Sequence, residues 1–86
     1  MYTLLYSAAA KHDAKKLYAA HLDKKCQSLL DLIQQDPLAH PPPCEKLLGD
    51  LSGYLSRRIN IHHRLVYEID KAKSVVKILR MWTHYE

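Results

Sequence analysis

The sequence predicts an α+β domain, with two N-terminal helices packed on one face of a mainly antiparallel sheet. Three observations carry this expectation. An aromatic and apolar strand pattern at the start is followed by two helical patterns and then by a succession of strand patterns. The second helical pattern places Leu22, Cys26, Leu29, Leu30 and Ile33 on one face of a helix. After the run His40, Pro41, Pro42 and Pro43 the punctuation changes, and glycines begin to separate short apolar and β-branched runs. Helices segregated to one sheet face leave the other face open to solvent or to a ligand.

Taken in order, residues 2–6 (YTLLY) read as a short strand. Ser7 is placed to cap a helix spanning about residues 7–20, which opens on three alanines. The second helix should stop near Asp36, because Pro37 disfavours helical backbone in the residue before it. The proline run is expected to be an extended, stiff connector between the helical and strand-rich halves. Gly49 and Gly53 mark turns, and strands are expected over residues 54–59, 63–70 and 75–83, with a short one possible at 46–48. Asp70, Lys71, Ala72 and Lys73 form a polar turn between the last two.

The chain has 86 residues, so one domain over residues 1–86 is expected. Of these, 48% are hydrophobic, which favours a packed fold over disorder. A core of this size is marginal alone, and a partner or homodimer would support it. The formal net charge is +4, unevenly spread. Residues 1–44 carry five Lys against four Asp; residues 45–86 carry eight Lys and Arg against five Asp and Glu, including all four arginines. That bias admits an anionic partner such as nucleic acid, although the net charge alone is ordinary for a soluble protein.

Cys26 and Cys44 form no disulfide framework and no metal-binding spacing, and Cys26 reads as a small buried hydrophobe. His62 and His63 read as turn and strand residues, with no third ligand at helpful spacing. No metal or other cofactor is therefore expected. No signal-peptide pattern is visible, and no apolar run approaches the roughly 20 residues that span a bilayer. A cytoplasmic location without membrane association is the simplest expectation.

Strand alternation then asks which side chains reach the open face. Leu65, Tyr67 and Ile69 share one face and form the natural core set, while Arg64, Val66 and Glu68 point the other way. If the preceding hairpin sets Arg58 opposite Arg64, two guanidinium groups become neighbours, an arrangement suited to an anion between them or to two side chains projecting into water. A tight two-residue turn would instead set Ile59 opposite Arg64 and separate the arginines. Arg57 falls with Leu55 and Ile59 by alternation, so it sits near an edge or snorkels to water. The terminal His84 and Tyr85 lie where chains usually fray, yet a histidine beside arginines suits proton transfer at a phosphate.

The stretch Leu51, Ser52, Gly53, Tyr54, Leu55, Ser56, Arg57, Arg58, Ile59, Asn60, then His63, Arg64, Leu65, Val66, Tyr67, and a final His84 and Tyr85, resembles the YoeB/Txe group of the RelE-like superfamily. These are the toxic halves of bacterial type II toxin–antitoxin pairs. The strong match covers about residues 45–85; the helical half agrees mainly in the length and order of its elements. The resemblance implies a microbial-ribonuclease-like fold and an endoribonuclease that cuts mRNA in the ribosomal A site without metal. It implies Glu45 as general base, Arg64 as stabiliser of charge on the phosphate, His84 as general acid and Tyr85 as a positioning group. Arg58 would assist at the phosphate or orient Glu45. Lys46 is the candidate replacement for a lysine that a related toxin carries where this chain has Leu48.

Two further departures are Leu55, where the group often has Trp, and Glu86, which follows the tyrosine. The implied partners are a cognate antitoxin of the YefM/Axe kind, the ribosome with its mRNA, and operator DNA reached through the antitoxin complex. A relative that binds antitoxin or ribosome without cutting is the alternative from another class. A ribosome-independent ribonuclease is a third.

Overall fold

A computed structural model describes residues 1–49 and 53–82 of the chain. The elements run β1 (Thr3–Tyr6), α1 (Ala8–Ala19), α2 (Asp23–Gln35), β2 (Glu45–Lys46), β3 (Leu55–Arg58), β4 (Arg64–Asp70) and β5 (Val75–Arg80). They form one five-stranded sheet in the order β1-β5-β4-β3-β2. β1 pairs with β5 in parallel, and the other three pairings are antiparallel.

The helices begin and end where local chemistry requires. The Ser7 hydroxyl accepts from the Ala10 N–H at 2.9 Å and caps α1. α2 gives way at Asp36, which is extended at φ −156° and ψ 99° ahead of Pro37. Ala10 and Leu17 of α1 and Cys26, Leu29, Leu30 and Ile33 of α2 are buried against Leu55, Leu65, Tyr67, Val76 and Ile78 of the sheet. Both helices therefore cover the same sheet face. Gly49 and Gly53 adopt positive φ, 72° and 97°, at the turns that lead from β2 to β3.

Four details depart from the sequence reading. The short strand forms at Glu45–Lys46 rather than at 46–48, because Glu45 takes Ser56 as its partner and Lys46 takes Leu55. β5 stops at Arg80, where the Met81 N–H turns to the Asp13 carboxylate, 3.0 Å away, instead of continuing the ladder. The connector bends at residues 40–42, with cis bonds at His40–Pro41 and Pro41–Pro42, rather than running extended. Arg57 does not snorkel to water: it is 0% exposed, because backbone carbonyls of that connector reach its guanidinium.

The open face is also less open than alternation implied. Val66 is fully buried although it points away from the helices with Arg64 and Glu68. Its neighbour in register, Ser56, is buried too. Among the described residues no helix is long and apolar enough to cross a membrane.

Candidate functional site

The hairpin between β3 and β4 decides whether the arginines meet. A five-residue connection joins the strands, with the Ile59 N–H donating to the His63 carbonyl at 2.8 Å. The Asn60 side-chain oxygen accepts from the backbone N–H groups of His62 and His63, at 2.8 and 2.7 Å, and fixes the turn. The outcome is that Arg58 lies directly opposite Arg64, not Ile59 opposite Arg64. Ser56 and Arg58 share one face of β3, and Glu45 stands opposite Ser56 on the neighbouring edge strand. Glu45, Ser56, Arg58 and Arg64 thus converge on the face away from the helices.

Within this group the Arg64 Nη1 lies 3.1 Å from Glu45 Oε2 and 3.4 Å from Ser56 Oγ. The Glu45 side chain is 59% exposed and that of Arg64 is 23% exposed. Arg58 is exposed, and among the described residues nothing pairs with its guanidinium. A concavity of about 380 Å³ opens between Pro42, Pro43, Glu45 and Arg58. Two cations side by side are unfavourable unless an anion shares them, and Glu45 satisfies only one of the two. The arrangement offers one carboxylate able to take a proton and two guanidinium groups able to hold a phosphate.

A second hollow of about 270 Å³ lies further along the same face, between Leu5, Tyr54, Glu68 and Lys77. Glu68 and Lys77 are register partners there, as are Leu5 and Lys77.

The structure brings together Glu45, Arg58 and Arg64 but not Lys46. Lys46 pairs in register with the core residue Leu55 and lines a different hollow with Leu38, Leu47 and Leu48. One step along a strand reverses the face, which is why it points away from its neighbour Glu45. His84 and Tyr85 lie outside the described residues, as do Leu51 and Ser52 of the motif. The ring of Trp82 stacks on His63 with centroids 3.8 Å apart and planes at 19°. His63 Nδ1 also meets the Trp82 carbonyl. Among the described residues no group of three or more His, Cys, Asp or Glu is arranged to hold a metal ion.

Two polar assemblies escaped the sequence reading. Asp13, 1% exposed, accepts from Arg80 Nε at 2.8 Å, from Arg80 Nη2 at 3.2 Å and from the Met81 N–H. Burial alone would push its carboxyl up, but those hydrogen bonds and the nearby Arg80 and Lys16 charges hold it below the ordinary range. Its signal was present: Ala10, Asp13 and Leu17 share one helix face, so a carboxylate stood in an apolar stripe. The second assembly centres on Arg57, whose Nε donates to the Tyr67 hydroxyl at 2.9 Å. Its signal was a cation in an apolar alternation facing a tyrosine whose hydroxyl needs a partner once buried.

Comparison with known proteins bears on the family and the fold. Residues 9–85 match the family described as YoeB-like toxin of bacterial type II toxin–antitoxin system. Toxin YoeB of Mycobacterium bovis is 40% identical over 62 residues, covering 72% of this chain and 71% of that protein. The YoeB chain of the YoeB–YefM complex from Staphylococcus aureus is 35% identical, with a TM-score of 0.81 over 99% of both chains. The YoeB dimer from Staphylococcus aureus is 36% identical, with a TM-score of 0.82 over 98% of both. With the motif order, the five-stranded sheet under two helices and the Glu45, Arg58 and Arg64 cluster already in place, these matches establish that the chain belongs to the YoeB family of type II toxin–antitoxin toxins.

Proposed function

We propose that this toxin is an endoribonuclease that cuts mRNA in the ribosomal A site by metal-independent acid–base catalysis. The observation that carries the reading is the placement of Arg58 opposite Arg64 with the Glu45 carboxylate 3.1 Å from Arg64. Glu45 takes the proton of a ribose 2′-OH, and the 2′-oxygen attacks the adjacent phosphorus. The bond to the 5′-oxygen breaks, leaving a 2′,3′-cyclic phosphate on the upstream fragment. Arg58 and Arg64 meet the charge that develops on the phosphate oxygens. Arg64 has five N–H donors, so it can receive a phosphate while Glu45 turns to the hydroxyl.

By resemblance, His84 would protonate the leaving 5′-oxygen and Tyr85 would position the nucleotide or the imidazole. Lys46, facing another hollow, has no evident part in phosphate binding in this reading. Substrate would be assembled by the translating ribosome in the cytoplasm. The antitoxin, of the YefM kind seen with the Staphylococcus aureus YoeB, would cover the cationic face and the hollow beside Tyr54. Operator DNA would be reached through that complex. A homodimer, as in the Staphylococcus aureus YoeB dimer, fits the small core.

The test is purified toxin added to ribosomes translating a defined mRNA, with cleavage sites mapped by primer extension. Toxin treated with chelator and desalted beforehand is expected to cut at the same A-site positions, and free mRNA to stay intact. Intact mRNA on translating ribosomes would overturn the enzymatic reading and leave a binding protein. Cleavage of free mRNA at an equal rate would overturn ribosome dependence alone.

A further inference from the structure

Glu45 sits on a strand that cannot hold itself. β2 is two residues long and lies at the sheet edge, and the segment before it, residues 41–43, is three consecutive prolines. Prolines offer carbonyls but no N–H, so this segment cannot tie itself to a neighbouring strand by donating. Its acceptors need donors from elsewhere.

Arg57 supplies them. Its Nη1 donates to the Pro42 carbonyl at 2.6 Å and its Nη2 to the Pro37 carbonyl at 3.0 Å. Its Nε donates to the Tyr67 hydroxyl, which in turn donates to the same Pro37 carbonyl at 2.7 Å. Cys44 Sγ lies 3.4 Å from that hydroxyl, one residue before Glu45. One buried polar knot therefore grips the connector at residues 37, 42 and 44. Among the described residues no carboxylate is within ion-pair distance of Arg57. A fully buried guanidinium held by neutral acceptors is costly to keep, and its rigid fork of donors is what a lysine at the same place would lack.

The other side of the same connector faces the reaction. Pro42 and Pro43 form one wall of the concavity that contains Glu45 and Arg58. Adjacent arginines in β3 thus divide the work across the sheet. Arg58 points to the open face, and Arg57 points into the core and holds the loop from behind.

We infer that Arg57 is a positioning residue for cleavage, fixing the residue 37–44 connector and through it the Glu45 carboxylate and the proline wall beside it. The inference rests on Glu45 acting as the general base. The test measures single-turnover kcat and KM on translating ribosomes for Arg57→Lys, Glu45→Gln and the double variant, with a thermal melt of each. Arg57→Lys is expected to lower kcat about 10²-fold with KM within about twofold, the effect of a catalytic group misplaced by an ångström. In the Glu45→Gln background the same substitution should cost nothing more, because there is no base left to misplace.

A loss of equal size in both backgrounds, or no loss in a folded Arg57→Lys, overturns the inference. Should Arg57→Lys fail to fold, Tyr67→Phe decides. It removes the hydroxyl that joins Arg57 to Pro37, and a kcat loss absent from the Glu45→Gln background supports the inference. Unchanged kcat, or a loss present in both backgrounds, overturns it. Glu45→Gln cutting at the wild-type rate would instead sink the base assignment, a result legible without any Arg57 variant.

Discussion

Two arginine–carboxylate pairs sit on opposite sides of this sheet and have little else in common. Asp13 and Arg80 join α1 to the end of β5, and the carboxylate, 1% exposed, accepts three hydrogen bonds. Glu45 and Arg64 join β2 to β4 on the open face through a single 3.1 Å contact, with the carboxylate 59% exposed. The first pair has both carboxylate oxygens engaged by Arg80 and a backbone N–H depending on one of them. The second has spare donors, spare acceptors and, beside it, the cation Arg58, which nothing pairs with among the described residues. A saturated pair fixes structure, whereas an unsaturated one can exchange its partner for a substrate. On the proposed function, the contrast would set stability and chemistry on different faces of one small sheet.

The sharpest way to break that division is to neutralise each carboxylate. Glu45→Gln keeps the shape of the site and removes the proton acceptor, so kcat on ribosomes should fall by about 10²–10⁴-fold, the usual contribution of a positioned base. His84→Ala should remove the general acid with a comparable loss while antitoxin binding persists, as read by cleavage and by co-purification of the pair. Wild-type rates in either variant would remove that residue from the mechanism.

Asp13→Ala should act on the other axis. It orphans the Met81 N–H and removes the two hydrogen bonds that Arg80 makes to the carboxylate, which should cost about 2–4 kcal/mol of stability by denaturant titration. In a domain this small each kcal/mol lowers Tm by roughly 4–8 °C. Its kcat below the melting transition should stay near that of wild type. A large kcat loss in folded Asp13→Ala would mean the two faces are coupled.

Acid separates the faces more gently. The Asp13 carboxyl is held below its ordinary value of 3.8 in the folded protein, so the unfolded chain binds its proton first. Its stabilising contribution is complete above that ordinary value and is lost as pH falls through the folded one. Unfolding free energy measured from pH 6 down to pH 3 should therefore drop more steeply for wild type than for Asp13→Asn. Parallel slopes would contradict the depressed carboxyl.

The fold was readable because its signals are periodic and local. The Leu22 to Ile33 stripe, the Ser7 cap, the Pro37 stop and the two glycine turns each act within a few residues, and each element formed where they put it. The site was half readable. Alternation could carry Arg64 to the open face, but whether Arg58 met it hung on a loop of five residues whose closure depends on one Asn60 side chain. For Arg57 the cation in an apolar alternation was visible but its hold on the connector could not be read, because there its partners are backbone carbonyls 15 and 20 residues away. Nor could the Asp13 to Arg80 pairing, which spans 67 residues, although the misplaced carboxylate was visible. Lys46 shows what alternation decides: paired with Leu55 while Glu45 pairs with Ser56, it takes the opposite face from Glu45.

The smallest expected effect is the stability of Glu45→Gln, and it bears most directly on the comparison. The pair it removes is exposed on the carboxylate side and makes one contact, conditions under which a surface ion pair is worth about 0.2–1 kcal/mol. Losing it also relieves nothing buried, since Arg64 keeps Ser56 Oγ at 3.4 Å and gains access to water. Denaturant midpoints for Glu45→Gln and wild type should then agree within about 0.5 kcal/mol at moderate salt, where what attraction remains is screened. A midpoint shift as large as that of Asp13→Ala would show that β2 depends on the ion pair to stay in the sheet. Glu45 would then be a structural residue in the same sense as Asp13, and the two faces would no longer differ in kind.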